Sequence, residues 1–332
     1  MTHFKKLTIL GDGGWGTALA ILLHRKGYQV TLWSAFKEYA QILERKRTNP
    51  YYLKGIRIPE SIVISSDLRE SLDCDLIIVA VPSQYLRGIL LKGALYYNLK
   101  TPVVSVVKGL ENGSLLRMSE VIMDVWKSRL IAVLSGPTIA QEVAHGIPTT
   151  VVVASKDRGL MMALQDVFMC AYFRVYTNSD VIGVELGGSL KNIIAIACGI
   201  SDGLGFGTNT KAAILSRGLA EISRLGVVMG AKKDTFSGVS GLGDLVTTCF
   251  NSLSRNHFVG EKIGRGASLK KIVSSMKMVA EGVTTVKAAV SLGKKYNVDL
   301  PITREIYRVL FKGSSPKAAV KNLMLREKKI EL

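Results

Sequence analysis

The sequence predicts a doubly wound, mostly parallel α/β domain followed by an all-helical one, and three observations carry this. Short unbroken apolar runs alternate with amphipathic stretches through the first half. A glycine cluster follows the first run directly, and after about Asn178 only a 3.6-residue period remains. Leu7–Leu10 reads as the first strand, Gly16–Lys26 as a helix and Gln29–Trp33 as the second strand. A polar helix over Lys37–Arg47 comes next, then a loop holding Pro50 and Pro59, then a strand at Ile62–Ser65. Leu76–Val81, Val103–Val107, Ile131–Leu134 and Thr149–Ala154 are continuous apolar runs, the pattern of strands buried on both faces; Phe173–Tyr176 is a short last one. The helical period then runs through Ser189–Ile200, Thr210–Arg224 and Thr284–Lys295. We therefore divide the chain into residues 1–186 and 187–332. The boundary falls inside or beside a long helix, because no Pro- or Ser-rich linker intervenes.

With 332 residues, 48% hydrophobic and 21% charged, the chain has the composition of a folded globular protein, not a disordered, collagenous or coiled-coil one. No apolar run approaches the ~18 residues of a membrane span, so no integral membrane segment is expected. Lys5 and Lys6 precede only the apolar Leu7–Leu10, short of the roughly 7–15 residues of a signal-peptide core, which predicts a cytoplasmic protein. Cys74, Cys170, Cys198 and Cys249 form no CxxC pair, and His3, His24, His145 and His257 have no ligand spacing, so neither disulfide nor metal is expected. The unusual quantity is a net charge of +18, with 16 basic and 5 acidic residues from Lys262 onward. Such a balance suits nucleic acid, anionic lipid, small phosphorylated ligands or simply a solvated basic surface. The basic residues are spaced singly, without the aromatic interleaving of a stacking platform, which argues against nucleic acid. The oligomeric state stays open, a homodimer included.

Gly11-Asp12-Gly13-Gly14-Trp15-Gly16 fits GxGxxG between a strand and a helix, the context in which this motif binds a dinucleotide. Gly11 permits the tight turn, Gly13 lets a pyrophosphate approach the backbone, and Gly16 allows close packing of helix on strand. Other signals are weaker. Ser254-Arg255-Asn256 gathers a hydroxyl, a guanidinium and a carboxamide before a helical segment, which makes either a phosphate clamp or an ordinary helix cap. Lys191, in the apolar stretch from Leu190 to Ile200, is either snorkelling to solvent or held for catalysis. Lys108 follows the strand Val103–Val107 at the end where α/β sheets bind ligands, with helix capping by Gly109 as the competing account.

The residues then become specific enough to compare with a family. The chain resembles the bacterial-type NAD(P)-dependent glycerol-3-phosphate dehydrogenases from end to end. The resemblance is carried in order by GDGGWGTALA (11–20), VAVPSQ (79–84), SVVKGLE (105–111), LSGPTIAQEVAHGIPT (134–149), LKNIIAIACGISDGLGFGTNTKAA (190–213), SGLGDLVTTC (240–249), SRNHFVG (254–260) and VAEGVTT (279–285). It implies a Rossmann-type first domain, Lys191 as the catalytic acid–base group, and Lys108, Gly136, Thr138, Asp244, Ser254, Arg255 and Asn256 around the phosphorylated substrate. It further implies a cofactor site of the Gly11, Gly13, Gly14, Trp15 and Gly16 loop with Ala35, Lys108, Ala140, Arg255, Val279 and Glu281. The activity implied is interconversion of glycerol 3-phosphate and dihydroxyacetone phosphate, supplying phospholipid synthesis. One departure is Ala35, where family members often carry Arg or His.

Reducing a ketone needs a hydride on carbon and a proton on oxygen, so a lysine with its pKa drawn from ~10.4 toward ~7–8 is a suitable donor. Burial and a cationic neighbour such as Lys108 would draw it there. Cofactor choice has its own signal. Where NAD-specific sites carry an acid, about 20 residues past the glycines, this chain has Trp33-Ser34-Ala35-Phe36, then Lys37 before Glu38. Ser34 could bond a 2′-phosphate and Lys37 could attract one, so the expectation is NADP or NAD, with NADPH accepted at least as well. The competing account is that Lys37 and Glu38 decorate an exposed helix start. Two other functions remain at this point: a 3-hydroxyacid dehydrogenase, against which SRN and SGLGDL argue, and a non-catalytic nucleotide sensor binding nucleic acid.

Overall fold

The structure is a computed structural model and describes residues 4–328 and 330. Its strands are β1 (Lys6–Leu10), β2 (Gln29–Trp33), β3 (Thr48–Asn49), β4 (Leu53–Arg57), β5 (Val63–Ser65), β6 (Leu76–Val79), β7 (Val103–Ser105), β8 (Ile131–Ser135), β9 (Thr149–Ser155) and β10 (Phe173–Asn178). Eight of them build one sheet in the order β10-β9-β8-β7-β6-β1-β2-β5, and β3 pairs with β4 apart from it. Neighbours in the large sheet are parallel except β8 and β9, so β9 and β10 run against the other six. This is the doubly wound, mostly parallel sheet that the apolar runs predicted; every residue of β6 is buried. The strand order reverses between β1 and β6, which opens a ligand crevice at their carboxyl ends.

The proline-containing segment read as a loop folds back as the β3–β4 hairpin. Buried Asn49 fixes it: its Nδ2 donates to the Asp12 carbonyl and to Thr17 Oγ1, both at 2.8 Å. Its Oδ1 accepts from Tyr39 Oη at 2.7 Å and from the Tyr52 backbone at 3.0 Å. A strand of two residues is too short to show an alternation, so only these contacts reveal it.

The second half is helical, and its axis is the helix Val181–Gly203. That helix begins before residue 187, which lies within it. By length and composition it is apolar enough to cross a membrane, yet 94% of its apolar window is buried inside the protein: it is a core helix. Asp180 caps its start, accepting from Gly183 N–H at 2.9 Å, and also accepts from Lys232 N–H and Thr235 Oγ1. Its first turn packs Val181 and Val184 on Val133, Val152 and Ala154 of the sheet. One turn later Glu185 accepts from Ser119 N–H at 2.8 Å and pairs with Arg117. From Leu186 onward the same helix supplies the centre of the second apolar core. A single rigid rod thus joins the two halves, which leaves no linker for the sequence to reveal.

Candidate active site

The glycine loop lies at the crevice. The helix Gly14–Arg25 starts with Gly13 as N-cap and no side-chain cap, so its first N–H groups have no side-chain acceptor. A Cβ on Gly16 would sit 1.9 Å from the Gly11 carbonyl, and one on Gly14 would sit 2.4 Å from the Tyr52 carbonyl. A Cβ on Gly13 would meet nothing within 4 Å. Gly14 and Gly16 are therefore forced by packing, whereas Gly13 keeps a bare backbone facing open space, as close approach of a pyrophosphate requires. Trp15 beside them has a buried indole N–H without a partner. These features fit a dinucleotide. Ala140 opens a short helix near Gly14, with a Gly14 Cβ position 3.7 Å from its methyl group, and Ala35 is exposed just past the end of β2.

The helix Val181–Gly203, the spine of the second half, delivers the charged centre. At Gly188 it passes the end of β8, where a Cβ would lie 2.5 Å from Ser135 Oγ and 3.6 Å from the Lys108 side chain. Three residues further, about 4.5 Å along the axis, stands Lys191. It is 5% exposed, so it does not snorkel. Its Nζ donates to Asp244 Oδ1 and Thr248 Oγ1. Lys108 Nζ donates to the other Asp244 oxygen at 2.8 Å, to the Gly136 carbonyl at 2.7 Å and to Thr138 Oγ1 at 3.0 Å. Asp244 is 1% exposed and bridges the two ammonium groups. An ammonium has three N–H bonds: those of Lys108 are all engaged, while Lys191 uses two and keeps one. Burial and the Lys108 charge draw the Lys191 pKa down from 10.5 to about 8, against the upward pull of Asp244.

Two glycine pairs hold the helix Arg255–Gly264 against the spine. A Cβ on Gly199 would lie 2.1 Å from the His257 carbonyl, and one on Gly260 would lie 2.1 Å from the Ile196 carbonyl; Gly203 and Gly264 repeat the close approach one turn on. This contact sets Ser254, Arg255 and Asn256 beside Asn192. Ser254 Oγ accepts from His257 N–H at 3.3 Å as the N-cap. Asn256 donates to Asn192 Oδ1 and accepts from Gly282 N–H, each at 2.9 Å. Asn192 in turn donates to the Lys108 carbonyl at 3.2 Å. Arg255 Nη1 donates to the Val279 carbonyl at 2.9 Å, and Glu281 accepts from Ser83 N–H at 2.9 Å and Ser83 Oγ at 2.5 Å. The helix-cap reading of the SRN triplet holds at Ser254, while Arg255 keeps donors beyond its bond to the Val279 carbonyl.

Comparison with known proteins places the chain in a family. The N-terminal profile of the NAD-dependent glycerol-3-phosphate dehydrogenases matches residues 6–161, and the C-terminal profile matches residues 180–321. The chain belongs to this family. It is 49% identical over 331 residues to a glycerol-3-phosphate dehydrogenase [NAD(P)+] of Pelotomaculum thermopropionicum, covering 98% of this chain and 95% of that one. Among solved structures it is similar to the glycerol-3-phosphate dehydrogenase of Coxiella burnetii, with 38% identity, a TM-score of 0.94 and coverage of 97% and 99%. The yeast enzyme is similar at 28% identity, a TM-score of 0.81 and coverage of 96% and 99%.

Three residues that sequence reasoning passed over take part in this network. Thr248 lies one helical turn after Asp244, a spacing that could have exposed it. Asn192 is the neighbour of Lys191, and Ser83 falls inside the VAVPSQ segment already matched. Among the described residues no group of His, Cys, Asp and Glu is arranged to hold a metal; His3 lies outside them. His257 instead bonds Asp202 at 2.7 Å.

Proposed function

We propose that the chain is an NAD(P)-dependent oxidoreductase that interconverts sn-glycerol 3-phosphate and dihydroxyacetone phosphate, with Lys191 as its proton donor and acceptor. The single observation behind this reading is the Lys191 ammonium: buried, drawn down to about 8, and with one N–H left over after Asp244 and Thr248 are served. When bound, the nicotinamide cofactor supplies or accepts the hydride at the substrate carbon. In the reducing direction Lys191 gives its remaining proton to the ketone oxygen, becomes a neutral amine and is reprotonated from solvent. Lys108 holds Asp244, Gly136 and Thr138 together and adds positive charge where the oxygen becomes negative. Asp244 keeps the two ammonium groups adjacent.

Arg255 and Asn256 anchor the substrate phosphate at the start of their helix, with Ser254 holding that start in shape. In this reading residues 1–186 hold the nucleotide and residues 187–332 carry the proton and the phosphate. The loop Gly11–Gly16, Trp15, Ala35, Ala140, Val279 and Glu281 line the nucleotide side. Supply of glycerol 3-phosphate to phospholipid synthesis in the cytoplasm is part of the proposal. The test is loss of reduced-nicotinamide absorbance with dihydroxyacetone phosphate, set against a panel of 3-keto acids. Turnover confined to the keto acids would overturn it.

A further inference from the structure

The glycine loop carries an acid that this mechanism leaves unused. Asp12 is the second residue of the loop, and its Oδ2 accepts from Ser34 Oγ at 2.5 Å. Ser34 is fully buried at the end of β2, its N–H bonded to the Ser65 carbonyl at 2.8 Å. Its one hydroxyl hydrogen is closer to Asp12 than to the Phe36 carbonyl, at 3.1 Å. The Asp12 backbone is pinned as well, its carbonyl accepting from Asn49 Nδ2 at 2.8 Å and Thr17 Oγ1 at 3.3 Å. The carboxylate is therefore fixed against the carboxyl end of β2.

That is the place from which dinucleotide sites recognise the ribose 2′-position, with an acid supplied by the strand end about 20 residues past the glycines. Here the strand end supplies none, and Glu38 is exposed on the helix beyond. The glycine loop delivers a carboxylate to the same spot from the other side.

Resting on the reading of this loop as a nucleotide site, we infer that Asp12 is the residue that makes the enzyme prefer NAD(H) to NADP(H). A 2′-hydroxyl can donate to the Asp12 carboxylate, whereas a 2′-phosphate would meet a fixed anion whose partner is a hydroxyl, not a cation. The two features that favoured NADPH in the sequence lose their force. The Ser34 hydrogen is committed to Asp12, and Lys37 is exposed on the first turn of the helix Lys37–Lys46. Dependence on NAD(P) is unaffected; only the order of preference is reversed.

The experiment measures dissociation constants of NADH and NADPH by nicotinamide fluorescence, without substrate, for the wild type, Asp12→Asn and Lys37→Ala. The wild type is expected to bind NADH at least about ten-fold more tightly, and Asp12→Asn to recover about ten-fold in NADPH affinity while NADH changes less than about three-fold. Asparagine keeps a hydrogen-bonding group toward Ser34 and the ribose, so the charge alone is tested. Equal wild-type affinities, or an unchanged ratio in a folded Asp12→Asn protein, would overturn the inference. Lys37→Ala does not touch the loop and should leave NADPH binding as it was; a ten-fold loss would make Lys37 the reader of a 2′-phosphate and refute the role of Asp12. Failure of the folded wild type to bind either nucleotide would instead overturn the nucleotide-site reading beneath it.

Discussion

The lysine centre and the start of the helix Arg255–Gly264 meet the helix Val181–Gly203 at consecutive residues, Lys191 and Asn192, yet they use their polar groups in opposite ways. Around Lys191 the polar groups bond one another, Lys108 and Asp244 included, and the arrangement leaves one N–H of Lys191 over. At the helix start, Ser254 spends its side chain on the fold, Asn256 commits its oxygen and one amide hydrogen there, and Arg255 keeps most of its five donors. A buried charge needs partners to exist at all, so the centre is costly to disturb by halves. A cap bond satisfies an otherwise orphaned N–H, and its loss is local. The two regions therefore differ in what a mutation does: at one it removes chemistry, at the other it loosens a scaffold except at Arg255, whose donors are left for a ligand.

The largest effect is expected where a proton is lost. Lys191→Ala should lower turnover by about 10²–10⁴, the range for acid–base catalysis, while nucleotide binding stays close to wild type. Retention of more than about a tenth of wild-type turnover would remove Lys191 from the proton path. Lys108→Ala should also be severely impaired. Because both lysines bond Asp244, the double variant should lose less than the sum of the two.

The same lysine sets a pH dependence whose sign follows from its charge state. Ketone reduction needs the ammonium, which is present below about 8 and lost as pH rises through that value. Alcohol oxidation needs the neutral amine and should rise over the same range. Asp244, Lys108 and Cys249 face Lys191, and the Lys108 charge lowers its pKa while the other two raise it. Asp244→Asn removes the larger upward influence and should move both profiles to lower pH. Profiles that follow the same direction for reduction and oxidation would exclude a lysine proton as their origin.

Much of the fold was legible because parallel strands buried on both faces leave unbroken apolar runs, and a helical core leaves a 3.6-residue period. The β3–β4 hairpin was not legible, since Asn49 holds it through contacts with Asp12, Thr17, Tyr39 and Tyr52 and not through a repeating pattern. In the site, the glycine loop was readable from its strand–helix context alone. Lys191 and Lys108 were ambiguous singly, and only the family resemblance joined them to Asp244. The reason is distance along the chain: Asp244 lies 53 residues from Lys191 and 136 from Lys108, and no local spacing can announce such a meeting. The Asp12–Ser34 contact, spanning 22 residues, escaped for the same reason, although both residues lay within the segments under scrutiny.

An intermediate effect is expected at Arg255, the member of the SRN triplet with donors to spare. Arg255→Ala should raise the Michaelis constant for dihydroxyacetone phosphate by the equivalent of roughly 1.5–3 kcal/mol, the range for a hydrogen bond to a charged group. Unphosphorylated dihydroxyacetone, a poorer substrate, should be affected little. Equal losses on both would mean that Arg255 serves the fold through the Val279 carbonyl and does not hold the phosphate.

The smallest effect is expected one residue earlier, and it decides how far the scaffold reading extends. Ser254 Oγ accepts from His257 N–H, one of the N–H groups at the helix start that lack a backbone partner. Ser254→Ala should therefore cost about 1 kcal/mol of stability, within the usual range for an N-cap, read as a lower denaturant midpoint with an unchanged slope. Its Michaelis constant for dihydroxyacetone phosphate should stay within about three-fold of wild type, because Arg255 still carries the charge that the phosphate needs. Ser254→Asp gives the converse check. Aspartate caps as well as serine, so stability should be kept, but its negative charge at the phosphate position should raise the Michaelis constant strongly. If Ser254→Ala left stability untouched and impaired phosphate recognition as much as Arg255→Ala does, the hydroxyl would belong to the substrate site. The contrast between the two regions would then stop at Asn256.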